Sequence, residues 1–213
     1  MTATARMAML DLRTIAPYHY QSLFAFGASV LVFGGKPVWL LPGLVLIFSA
    51  QIAPFPFRVA DKAGLETLYG VLPVRRRSVV YGHYLWAVAV FLATATAGTA
   101  LALLLAWAES VPFGGRTLLT MLALSWATYS VNIAIQFPVL IRFGYTSGSV
   151  LGTTLPLAVI IGTLYKTHLT VASMQDWIAL VAVVGLVVFA ASAALAVTAD
   201  RRRMRHRANW RTA

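Results

Sequence analysis

Four uncharged polar side chains, Ser125, Tyr129, Asn132 and Gln136, stand in a strongly apolar stretch at intervals of four, three and four residues. In a helix that spacing puts two hydroxyls and two amides on one face. Such a face can form the wall of a translocation path, or it can hydrogen-bond to neighbouring helices. The spacing accommodates both. A second constellation is apolar: Leu65, Leu68, Tyr69 and Leu72 recur at i, i+3, i+4 and i+7. Asp61, Lys62, Glu66 and Thr67 take much of the remaining surface. Asp61 is placed to cap the helix start, and Pro73 to stop it. The expected product is a short amphipathic helix running directly into Arg75, Arg76 and Arg77. It either lies on a membrane surface or sets its apolar anchors in a groove of a soluble partner.

Residues for covalent or hydrolytic chemistry are missing. A phosphate-binding loop needs G-x-x-x-x-G-K-[ST]. The nearest string, VFGGKPV, has Val30 for the first glycine and Pro37 where a hydroxyl must reach magnesium. The string GYTSGS is faintly like the serine motif of intramembrane proteases. Gly144 is one residue too far from Ser147, however, and residues 177–197 hold no histidine to serve as base. The chain has no cysteine, hence no disulfide, thiolate nucleophile or cysteine metal site. No catalytic, cofactor-binding or metal-ligating residue is therefore expected.

The elements that position these residues are apolar helices. Of 213 residues 60% are hydrophobic and 11% charged, against about a quarter charged in ordinary soluble domains. This is the composition of an all-α integral membrane protein, a single domain over 1–213. Six spans are expected, at residues 16–35, 38–57, 79–107, 118–139, 150–165 and 177–197. Pro54 and Pro56 break the second late. In the third, Ala93, Ala97, Gly98 and Ala102 have the small-residue spacing of close helix packing. Asp11, Asp61, Glu66, Glu109, Asp176 and Asp200 all fall outside the spans, which counts against a proton-coupled pump, a voltage sensor or a metal transporter.

The net charge of +11 would suggest nucleic-acid binding on a soluble protein. Here it fixes orientation. Lys36, Arg116 and Lys166 fall on one side of the membrane; the other 14 of the 17 basic residues fall on the side of the termini. Both termini are therefore expected in the cytoplasm. Arg75, Arg76, Arg77 and Arg142 become cytoplasmic anchors. The tail at 199–213 becomes a basic patch for anionic lipid.

The string FPFRVADKAGLETLYGVLPVRRRSVVYGHYL resembles the signature of small six-span bacterial ABC-2 type transporter permeases. It carries Phe57, Asp61, Lys62, Leu68, Tyr69, Leu72, Pro73, Val74, Arg76, Gly82, Tyr84 and Leu85 at the matching positions. A second string, IQFPVLIRFGY, is similar to the family's proline, basic residue and Phe-Gly-Tyr, here Pro138, Arg142, Phe143, Gly144 and Tyr145. His83 replaces the family's usual arginine, and Ser147 and Ser149 replace basic residues. Both departures are expected at the cytoplasmic edge, touching headgroups or a partner.

The resemblance implies the membrane half of an ABC exporter in the bacterial cytoplasmic membrane, working by alternating access. A separate ATP-binding subunit would hold ATP and magnesium, and a second permease subunit would complete a homodimer or heterodimer. Segment 58–78 would be the coupling connection, with Asp61, Leu65, Glu66, Leu68, Tyr69 and Leu72 forming its ATPase-coupling helix. The rival readings are a non-transporting membrane scaffold or sensor, and a self-contained channel or secondary carrier. The lack of charge within the spans weighs against the last.

Overall fold

The computed structural model describes residues 37–64, 76–110, 112–167 and 174–211, with isolated positions at 9, 20, 27 and 31. The first expected span is thus described at only three positions, and the amphipathic stretch 65–75 lies outside the described residues. All regular elements among the described residues are helical. They are α1 (Pro37–Gln51), α2 (Phe55–Lys62), α3 (Arg76–Ala108), α4 (Gly115–Phe143), α5 (Tyr145–Thr167) and α6 (Ile178–Arg211), the last entered through a 3-10 turn at Gln175–Trp177.

The break after α1 follows from proline chemistry. The N–H groups of Ile52 and Ala53 still donate to the Phe48 carbonyl, at 2.8 and 3.3 Å. Pro54 has no N–H to continue the ladder. The chain then restarts as α2, with Pro56 in the first turn, where a missing donor costs nothing.

Four stretches are long and apolar enough to cross a membrane: Trp39–Lys62, Arg77–Ala108, Gly115–Phe143 and Gln175–Thr198. They correspond to the second, third, fourth and sixth expected spans. The fifth expected span is also helical, as the 23-residue α5, but it is not among these four.

α4 is the hub of the described helices, packing against α1, α3, α5 and α6, and α1 is buried beside it. Leu40, Leu41, Leu44 and Val45 are fully buried, and α1 packs against both α3 and α4. The approach of α3 depends on Gly98, where an added Cβ would come within 2.8 Å of Leu41 Cδ1. The buried small residues near it are Ala95, Ala102 and Ala106. Ala93 and Ala97 were expected to share this contact; they lie on the exposed face instead. The third span contains interleaved stripes of small residues, and spacing alone does not say which stripe meets Leu41.

α6 packs along α4 in the same manner. A Cβ at Gly185 would stand 2.8 Å from Trp126 Cδ1 and 3.1 Å from the Ala127 backbone. Between these contacts Phe57, Tyr84, Phe137 and Phe189 form an edge-on aromatic chain with centroids 5.0 to 5.3 Å apart. Such rings contribute specific geometry as well as buried area. The outer surface of α6 exposes Leu180, Val183, Val184, Leu186 and Val187. A patch of this kind is at home against lipid and untenable in water.

Candidate functional site

The polar face of α4 is entirely internal. Ser125, Tyr129, Asn132 and Gln136 are all 0% exposed. The Tyr129 hydroxyl donates to the Ala87 carbonyl of α3 at 2.6 Å. Asn132 Nδ2 donates to Ser49 Oγ at 3.1 Å and to Gln136 Oε1 at 3.4 Å, and Gln136 Nε2 reaches the Ala50 carbonyl at 3.4 Å. Ser125 Oγ donates back to the Met121 carbonyl of its own helix at 2.6 Å. Three of the four therefore tie α4 to its neighbours. Among the described residues, the face is closed by the neighbouring helices. Asn132 Oδ1, Ser130 Oγ and Trp86 Nε1 are buried without a hydrogen-bond partner among the described residues.

The second polar locus is the corner between α4 and α5. It was expected to be a ten-residue connection, but α4 continues to Phe143 and α5 begins at Tyr145. Gly144 alone makes the turn and serves both helices. Its N–H donates to the Leu140 carbonyl at 2.9 Å, closing α4. Its carbonyl accepts from the Gly148 N–H at 3.0 Å, opening α5. Its φ of 79° and ψ of 169° lie in a region that only glycine occupies readily. This gives the Phe-Gly-Tyr string a physical reason.

A glycine at that position cannot supply the side-chain oxygen that normally caps a helix start. Asp61 supplies it. The Thr146 N–H donates to Asp61 Oδ2 at 2.8 Å, and the Thr146 hydroxyl donates to the same oxygen at 2.5 Å. Thr146 is the second residue of α5, the position a capping oxygen ordinarily reaches. The carboxylate is also well placed against the positive end of the helix dipole.

Asp61 was expected to begin the following amphipathic helix. It lies instead in the last turn of α2 and caps an element 85 residues further on. Capping oxygens are exchangeable in sequence but not in space, and local spacing does not reveal this partner.

Past Asp61 the chain leaves α2 through Ala63, whose N–H donates to Val59 at 2.9 Å, and Gly64, with φ 61°. Leu65, Glu66, Leu68, Tyr69, Leu72 and Arg75 lie outside the described residues. Arg76 and Arg77 open α3, and Arg77 is exposed. Cations in a first turn oppose the helix dipole, so helix stability does not account for their position. Arg142 is exposed in the last turn of α4, where a cation is favoured.

The departure at His83 is not a surface substitution. His83 is 5% exposed, and its ring packs 4.6 Å from that of Phe57. Tyr84 beside it pairs with Ser192 Oγ at 2.6 Å, joining α3 to α6. Neither contact is visible in local spacing, since Ser192 is 108 residues from Tyr84. At the opposite end of α4 from Gly144, Arg116 forms an exposed ion pair with Asp176 at 2.9 Å.

The chain matches the family described as "ABC-2 family transporter protein" over residues 8–199. Neither a curated protein nor a solved structure matches it.

Proposed function

Since this chain belongs to the ABC-2 transporter permease family, we propose that it is the transmembrane subunit of an ATP-driven exporter in a bacterial cytoplasmic membrane. The family match across residues 8–199 carries this reading. Hydrolysis belongs to a separate ATP-binding subunit, which holds the nucleotide and magnesium. Two permease subunits, alike or different, enclose the path. In this reading all six spans cross the membrane and both termini are cytoplasmic.

The connection between α2 and α3 is the coupling element, with Leu65, Leu68, Tyr69 and Leu72 seated in the ATPase and Glu66 as a polar contact. Arg75, Arg76 and Arg77 hold the base of α3 at the headgroups and orient the ATPase. The geometry favours a connection that transmits force. It springs from α2, whose Phe55, Pro56 and Phe57 are buried in the bundle, so a load on the exposed end reaches the core. Closure of the ATPases would move this segment and rock the spans between inward and outward states. The internal position of Ser125, Tyr129, Asn132 and Gln136 favours helix packing for that face, with the path at the surface between subunits.

The test is co-expression with candidate ATP-binding subunits. Leu68→Asp combined with Tyr69→Asp is expected to reduce copurifying ATPase at least tenfold while the permease still inserts in the membrane. Undiminished copurification would remove the docking role from this helix.

A further inference from the structure

We infer that Asp61 is the positioning residue through which movement of the coupling connection reaches α5. The inference rests on the coupling role proposed above for the segment after α2. The contact on which it is built stands apart from that role. α4 and α5 meet at one glycine, which closes one helix and opens the next. Gly144 must adopt a backbone conformation that excludes ordinary capping residues, so no local side chain fixes the start of α5. The cap comes from α2, and Asp61 accepts both the backbone N–H and the hydroxyl of Thr146 on a single oxygen. α2 also packs directly against α5.

The mechanical consequence follows from the difference between these two joints. Toward α4, α5 is joined through Gly144 and packs along the helix, with Gly148 against Val139 and Phe143 and Gly152 against Gln136 and Leu140. These packing contacts leave the angle at the corner to the backbone of one glycine. Toward α2, it is held by two charge-assisted hydrogen bonds, which are shorter and stronger than neutral ones. Lys62, Ala63 and Gly64 then lead straight into the coupling connection. A pull on that connection acts first on the last turn of α2. From there it passes through Asp61 to the first turn of α5, which pivots at Gly144. Both Asp61 and Thr146 are exposed, so water competes for the contact once it opens. This limits its contribution to folding and suits a contact that governs position.

Two measurements test this. In the first, the full-length permease in nanodiscs is followed by amide hydrogen exchange in the peptide around residues 141–150. Asp61→Ala should speed exchange in the first turn of α5 roughly fivefold, the effect of losing a helix cap. Asp61→Asn keeps an acceptor oxygen and should fall between Asp61→Ala and the parent. Thr146→Ser should match the parent. Unchanged exchange in Asp61→Ala overturns the inference, and this measurement needs no ATPase.

In the second, the complex with the ATP-binding subunit is purified. Asp61→Ala should retain the ATPase in parent amount and lower its ATP turnover at least fivefold, with Asp61→Asn again intermediate. Parent-level turnover overturns the transmission role. Loss of the ATPase from Asp61→Ala also overturns it, since Asp61 would then be a docking contact. Failure of the docking reading shows separately, as undiminished copurification by Leu68→Asp with Tyr69→Asp.

Discussion

At the scale of single residues, the polar side chains of α4 show how two chemistries with the same spacing diverge once neighbours are present. An amide in hydrocarbon is costly unless it is paired. Asn132 Nδ2 donates to Gln136 and to Ser49 of α1, and Gln136 Nε2 to the Ala50 carbonyl of α1, while Asn132 Oδ1 has no partner among the described residues. Hydrogen bonds between spans average about 0.6 kcal/mol. Asn132→Ala removes one bond between helices and Tyr129→Phe removes another, and each should destabilise the subunit by about 0.6 kcal/mol. Reversible unfolding in mixed micelles measures both. A path-lining role would give the opposite pattern, with transport altered and stability unchanged. The face itself was legible from intervals of four and three. Its partners were not, because Ser49 lies 83 residues away and nothing local marks it.

At the scale of elements, helix positions were readable because hydropathy and proline act locally. The α1–α2 break at Pro54 and the extent of α3 both follow from such signals. Helix contacts were less readable. Interleaved small residues in α3 leave the packing stripe ambiguous, and the buried stripe is the one containing Gly98 and Ala102. The α4–α6 contact turns on Gly185, which the sequence alone does not mark, because an isolated glycine in a span has no distinctive pattern. Its environment is now specific. Gly185→Val would press on Trp126 Cδ1 and the Ala127 backbone, at 2.8 and 3.1 Å from the first added carbon alone. The expected cost is about 1–3 kcal/mol, as for other overpacked sites. Gly162, with nothing within 4 Å of an added Cβ, should tolerate Gly162→Ala, and thermal unfolding of the two variants compares them directly.

At the scale of the whole molecule, two polar contacts lie at opposite ends of α4. Asp61 and Thr146 belong to connections expected on one side of the membrane, and Arg116 and Asp176 to connections expected on the other. The Arg116–Asp176 pair is more than half exposed on both sides, so it adds little stability. Its value is topological. A chain without cysteine allows the orientation to be tested one position at a time. Lys62→Cys and Ser147→Cys should resist a membrane-impermeant maleimide added outside intact cells, whereas Ser110→Cys and Gln175→Cys should react. The reverse pattern would invert the proposed orientation.

The one-residue corner at Gly144 also makes the chain a precisely indexed object at this point. Each helical residue advances by about 100°, so one residue added or removed between Phe143 and Tyr145 would turn the whole of α5 by more than a quarter of a circle. Thr146 would swing away from Asp61. The inner side of α5, including Gly152 against Gln136 and Leu140, would face outward. Ordinary surface loops absorb insertions and deletions. This joint has no slack, and its length is as much a part of the sequence's meaning as its residues.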